Sequence, residues 1–234
     1  MDRDYSKFEE KLGYKFNDIS LLERAFLHTT YVFEHGGEHY DSNQRLEFVG
    51  DAVLDLVVGL KLYDMKPEEG EGYLSKIRSI VVCEKSFADA ARKLGCGEYL
   101  LLGKGEAHSG GADKDSTLAD CFESVIAAVF IDGGYEAASE CILRILNDTI
   151  VKAANGELFS DYKSRLLELA QTKGAQHKII FEITGERGPA HDREFDCSVY
   201  ADDVLLAQAT GKSKKDAEQK AAEKAVGIYH EFYD

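Results

Sequence analysis

Two pairs of acidic residues sit inside helical runs that are otherwise almost wholly apolar. Glu47 and Asp51 lie in Asn43-Gln44-Arg45-Leu46-Glu47-Phe48-Val49-Gly50-Asp51-Ala52-Val53-Leu54, and Asp120 and Glu123 in Leu118-Ala119-Asp120-Cys121-Phe122-Glu123-Ser124-Val125-Ile126. Spaced four and three residues apart, the members of each pair project from one helix face. Like charges so placed repel, and an ionised carboxylate withdrawn from water is costly unless something compensates it. A divalent cation shared by all four would do so, which is the chemistry of a metal-dependent hydrolase. Salt-bridged or partly wet core acids are the plainer alternative. Asp55 and Glu69 read as ordinary solvated surface, whereas Leu46, Val49, Val53, Leu54, Val57 and Val58 leave the first pair almost no polar face.

Periodicity supplies the elements that must hold these groups. Apolar residues recur at helical spacing over 19–27, 43–62, 72–94, 117–131 and 135–153. Asp41 or Ser42 is placed to cap the second of these helices, and Ser116 or Thr117 the one carrying Asp120. The glycine-rich stretch 103–111 has no preceding strand and no phosphate-loop spacing, so it reads as a turn of the chain. The helical pattern stops at Asn155-Gly156. A helix over 162–172, strands over 178–184, 194–200 and 204–209, and an alanine-rich helix over 214–229 follow. The expected organisation is a helical domain over 1–154, a flexible linker over 155–160 and an α-β-β-β-α module over 161–231.

Composition narrows the class. No apolar run is long enough to span a membrane, and the charged start Met1-Asp2-Arg3-Asp4-Tyr5 lacks the core of a secretion signal. The five cysteines are scattered without Cys-x-x-Cys spacing, so they are expected to be reduced packing residues of a cytoplasmic protein, with no zinc site. A net charge of −15 argues against a nucleic-acid partner at first sight. The acid is unevenly spread, however. Residues 1–159 carry 17 Lys/Arg against 29 Asp/Glu, residues 160–234 carry 11 against 14, and Lys212, Lys214, Lys215, Lys220 and Lys224 cluster in the latter. A local basic patch therefore survives the global balance.

The stretch Gln44-Arg45-Leu46-Glu47-Phe48-Val49-Gly50-Asp51-Ala52-Val53-Leu54 resembles the signature of ribonuclease III. So do His28 after an apolar helix, Glu71-Gly72-Tyr73-Leu74-Ser75-Lys76-Ile77-Arg78, Leu102-Gly103-Lys104-Gly105-Glu106 and Leu118-Ala119-Asp120-Cys121-Phe122-Glu123, in that order. The C-terminal module resembles a double-stranded-RNA-binding domain. The resemblance implies an all-α endonuclease domain followed by a small α+β RNA-binding domain, working as a homodimer on double-stranded RNA. It implies Mg²⁺, with Mn²⁺ as a substitute, and no organic cofactor or membrane. Glu47, Asp51, Asp120 and Glu123 fall on the family's four catalytic carboxylates. Glu47, Asp120 and Glu123 are assigned to the metal, and Asp51, with Glu123, to catalysis, Asp51 positioning the attacking water.

Phe48 would be core by the general rule for aromatics in apolar helices, but the resemblance places it at the dimer interface. Gln171, His191, Lys212, Lys214 and Lys215 fall on the RNA-contacting regions. Two positions depart from the pattern. Gln44 stands where many bacterial members carry Glu, and Leu167 where Gln is frequent. The products implied have 5′-phosphate and 3′-hydroxyl ends with short 3′ overhangs, as in the processing of ribosomal RNA precursors. A scaffold that binds RNA without cutting is the competing class, and retention of all four carboxylates argues against it. A small-molecule phosphohydrolase would leave the C-terminal module without a use.

Overall fold

The computed structural model describes residues 3–158, 162–172, 177–189 and 193–233. The chain divides into two compact units, Met1–Leu158 and Phe159–Asp234.

The first unit is helical: α1 Ser6–Leu12, α2 Ile19–Ala25, α3 Thr29–Glu34, α4 Gln44–Met65, α5 Glu71–Val81, α6 Glu84–Leu94, α7 Lys104–His108 and α8 Asp115–Ala154. Its core is built around α4 and α8, with α6 packed on α8. α4 buries Leu46, Val53, Leu54, Val57, Val58 and Leu62, and α8 buries Leu118, Phe122, Val125 and Ile126 against them.

Sequence and structure differ at three places here. The single helix expected over 72–94 is two, because Val82 and Cys83 leave helical geometry (φ −92°, ψ 70° and φ −136°, ψ 155°). The β-branched run Ile80-Val81-Val82 crowds the preceding turn, and the Cys83 carbonyl then accepts the Phe87 N–H at 3.0 Å to open α6. The helix carrying Asp120 starts at Asp115, so Ser116 and Thr117 lie in its first turn and cap nothing. The loop 103–111 contains a short helical turn, α7. The break expected between 131 and 135 is present as Gly134, whose φ of 81° and ψ of −173° only glycine tolerates, and which kinks α8. Just before it, the Asp132 carboxylate accepts from the Tyr14 hydroxyl (2.7 Å) and the Asn17 and Asp18 amides (2.8 and 2.9 Å), fastening the chain before α2 to α8.

The second unit comprises α9 Tyr162–Thr172, β1 Ile179–Arg187, β2 Glu194–Ala201, β3 Val204–Gly211 and α10 Lys214–Tyr233. The strands form an antiparallel sheet in the order β1-β2-β3. Alternation puts Phe181, Cys197 and Val199 on the helix-facing side, where Leu166 and Leu169 of α9 and Ala217, Ala221 and Ala225 of α10 complete the core. The small alanines let α10 lie close on the sheet.

The Ala201↔Val204 pairing closes β2 and β3 through a two-residue turn whose residues, Asp202 and Asp203, both have positive φ (45° and 70°). Asp202 is held there by accepting the Lys178 N–H (2.8 Å) and by its hydrogen bond with His177 Nδ1 (2.5 Å), whereas Asp203 has no such anchor among the described residues. Glycine is the natural occupant of that second position. Asp203→Gly is therefore expected to stabilise the second unit by about 0.5–1 kcal/mol, read as a rise in its thermal midpoint.

Candidate metal centre and nucleic-acid interface

The carboxylates meet where the start of α4 crosses the first turns of α8. Gly50 sets the separation: a Cβ there would overlap the carbonyl oxygen of Glu123 and stand 3.0 Å from its Cα. The two helices thus touch backbone to backbone, one turn from Glu47. A buried polar tie fixes their relative rotation. Ser124 Oγ donates to the Asp120 carbonyl (2.7 Å) and lies 3.2 Å from that of Asn43, the residue before α4. The Asn43 N–H in turn donates to the Leu27 carbonyl at 2.9 Å.

Within this frame, Glu47, Asp120 and Glu123 each offer a carboxylate oxygen, all within 4.8 Å of one another, and each is partly buried. The structure therefore brings together three of the four residues singled out from the sequence. Asp51 sits one turn after Glu47 on α4, exposed and outside the tight trio, yet close enough for its charge to act on two members of it.

The electrostatics show an uncompensated anionic cluster. Burial pushes the Glu123 carboxyl up to about 8, with the charges of Asp51, Glu47 and Asp120 adding to it. Glu47 is raised by burial and then by Asp120 and Asp51. Burial also raises Asp120, against the opposing pull of the His28 imidazole and with a further push from Glu84. Hard oxygens, mutual repulsion and partial access to water fit a divalent cation such as Mg²⁺, which keeps several waters and takes one or two carboxylates.

His28 arrives here by its own route. It opens α3 by accepting the Thr30 N–H at Nδ1 (3.3 Å), while its backbone N–H donates to the Leu101 carbonyl (3.1 Å). Sequence reading did not find Gly50 or the Ser124–Asn43 tie. A lone glycine between two carboxylates in an apolar helix was the available signal for the first.

Phe48, adjacent to Glu47, is 80% exposed, so it is not a core residue of this chain. Leu56, Leu60 and Tyr63 are also exposed on α4. Leu56 and Tyr63, eight and fifteen residues on from Phe48, fall on approximately the same helix face, with Leu60, twelve residues on, beside them.

In the second unit, Gln171 is exposed near the end of α9, and Leu167 is 37% exposed. His191 lies outside the described residues. α10 opens with a reciprocal cap. Ser213 Oγ accepts the Asp216 N–H (3.1 Å), and the Asp216 carboxylate accepts the Lys212 N–H (2.8 Å) and pairs with Lys220 (2.9 Å). Those partners, Lys220 first, hold the Asp216 carboxyl below its ordinary range. Lys214 and Lys215 are exposed and make no ion pair among the described residues, and the Lys214 ammonium lies 5.9 Å from the Phe195 ring centroid. No described helix is long and apolar enough to cross a membrane, and all five cysteines are free thiols.

Comparison with known proteins agrees with this geometry. Residues 18–149 match the Ribonuclease-III-like family model and residues 162–227 the double-stranded RNA binding motif. A relative named Ribonuclease 3 from Symbiobacterium thermophilum is 46% identical over 224 residues, covering 94% of this chain and 92% of the relative. One of the same name from Bacillus cereus is 43% identical over 222 residues, covering 95% and 90%. Among solved structures, the nuclease domain of ribonuclease III from Campylobacter jejuni superposes with a TM-score of 0.58 at 39% identity, covering 62% of this chain and 98% of that domain. A helical unit carrying the acidic cluster, followed by a double-stranded-RNA-binding unit, is thus accounted for over nearly its whole length: the chain belongs to the ribonuclease III family.

Proposed function

We propose that the chain is a Mg²⁺-dependent endoribonuclease that cuts double-stranded RNA as a homodimer, leaving 5′-phosphate and 3′-hydroxyl ends with short 3′ overhangs. Structured precursors, including those of ribosomal RNA, are its proposed substrates, and the cytoplasm its compartment. The observation that carries the reading is the partly buried trio Glu47, Asp120 and Glu123 in a chain that also bears a double-stranded-RNA-binding unit.

The trio would hold the cation, which supplies Lewis-acid stabilisation of the charge that develops on the scissile phosphate. Asp51, exposed beside it, orients the attacking water, and Glu123 serves both the metal and that step. In the second unit, Gln171, His191, Lys212, Lys214 and Lys215 grip the duplex through backbone and minor groove, a mode that reads A-form shape more than sequence. Leu167 offers no hydrogen bond where Gln would, so affinity rests more heavily on the lysines. Gln44 removes one carboxylate charge from the approach to the site. The boundary between the functions is placed at 155–160, supported by family matches that end at 149 and resume at 162.

Cleavage of a long perfect RNA duplex tests the reading. Short duplex products with 3′ overhangs in Mg²⁺, absent in EDTA, are expected. Binding without cutting in any divalent metal would make the chain a scaffold instead.

The exposed Phe48 face is the proposed dimer contact. The Campylobacter jejuni nuclease domain has a region involved in dimer formation. Phe48→Ala is expected to weaken self-association by about 2 kcal/mol or more, as for a central aromatic anchor, while the monomer keeps its helicity. Sedimentation across a concentration series reads the first and circular dichroism the second. An unchanged dimer would remove Phe48 from the interface.

A further inference from the structure

The RNA-facing lysines of the second unit are not equally free. Lys212 Nζ lies 3.3 Å from Glu194 Oε1 at the start of β2, an exposed ion pair. Lys214 and Lys215, two and three residues further on, have no acid partner among the described residues. Glu194 also lies 3.5 Å from Arg187, but Arg187 is independently held by Asp196 at 3.0 Å and is within 3.4 Å of Thr210 Oγ1. Glu194 is therefore one of the groups that hold Lys212, and Lys212 is the nearer of its two cations.

From this we propose that Glu194 is an electrostatic brake on duplex binding, a carboxylate that competes with RNA phosphate for Lys212. The inference rests on the functional reading above and adds a residue that sets its strength. Two effects share one sign. A phosphate approaching Lys212 must displace or share its carboxylate, and Glu194 repels that phosphate directly, well within a Debye length of roughly 10 Å. The ion pair is solvent-exposed, so it yields to a polyanion at little cost. The brake is thus graded, not absolute. In a chain of net charge −15 it belongs to a wider pattern, in which basic groups at the strand ends are held by nearby acids, as Arg193 is by Glu186 at 2.7 Å.

The test is binding of a fluorescently labelled perfect RNA duplex by the full chain in EDTA, measured across a series of KCl concentrations. Glu194→Gln keeps the size of the side chain and removes the charge. It is expected to tighten binding about two- to fivefold at low salt, the range of an exposed charge pair. The slope of log K against log[salt] is expected to steepen by up to about 0.9, one phosphate's worth of counterions. Lys212→Ala is expected to weaken binding, and Glu194→Gln placed in the Lys212→Ala background to gain much less than it does alone.

An unchanged affinity and slope for Glu194→Gln would overturn the brake. Weaker binding would overturn it too, by showing that Glu194 orients Lys212 for the phosphate. An equal gain with and without Lys212 would overturn the assignment to that lysine. A native chain that binds no duplex at any salt, yet folds, would instead defeat the functional reading on which the brake stands.

Discussion

Replacing Glu123 by Gln is expected to abolish cleavage and, in the absence of metal, to make the protein more stable. Loss of one ligand from the trio removes on the order of 4 kcal/mol of transition-state stabilisation, or roughly a thousandfold in rate. The stability effect follows from the same geometry. The Glu123 carboxyl is raised from an ordinary 4.5 to about 8, first by burial and then by Asp51, Glu47 and Asp120. Below its ordinary value it is protonated in folded and unfolded chains alike, and stability is intact. As the pH rises from there through about 8, the unfolded chain has released a proton that the folded chain still holds, so folding is progressively opposed.

Gln cannot ionise and escapes that opposition. In EDTA the variant should melt above the native protein by an amount that grows with pH, reaching about 1–2 kcal/mol near pH 8 once solvent access to the site is allowed for. Mg²⁺ should raise the midpoint of the native protein and hardly that of the variant. Parallel melting curves across pH 5–9 would show that Glu123 is not under this repulsion.

Gly50→Ala is expected to be nearly as damaging to cleavage without touching any group that does chemistry. Its Cβ would occupy the space of the Glu123 carbonyl, which is backbone and cannot rotate aside. The helices must separate or the chain must bend, at a cost of about 3 kcal/mol or more, the upper range for an overfilled core. Separation also widens the gap between Glu47 on one helix and Asp120 and Glu123 on the other. A misplacement near 1 Å costs roughly a hundredfold in rate. Denaturant unfolding and cleavage of the same preparation read the two effects. A stable variant that cuts normally would show that α4 and α8 accommodate the methyl by sliding, and that their contact does not set the site.

The carboxylates were legible from the sequence because two physical signals coincided: like charges on one helix face, and apolar neighbours on nearly every other. Three of them do converge. Asp51 was not separable from its partners by spacing alone, since whether a residue one turn along faces inward depends on the crossing of α4 with α8, which no local pattern encodes. Phe48 shows the limit of composition rules. Its type and surroundings said core, while the fold leaves it in solvent, and only the family resemblance anticipated that.

The helices over 43–62 and the strands of the second unit were close to their observed bounds because their apolar periods are long and clean. The break at Val82-Cys83 was hidden, because the pattern of buried residues continues in phase across it. His28 reaches the neighbourhood of Asp120 through long-range hydrogen bonds to the segment around Leu101, and such pairings are invisible to any window along the chain.

Gly134, with its non-helical backbone, kinks α8 into two rods. The rod before it carries the carboxylates; the rod after it packs Ala138, Ile142, Leu146 and Ile150 into the core. Fraying that starts at the distal end need not travel past the glycine. Amide exchange should therefore sort α8 into two classes, with the proximal amides outlasting the distal ones. On that expectation the joint acts as a mechanical fuse: heat or sequence drift would loosen the back of the domain while the turn that bears the carboxylates keeps its shape.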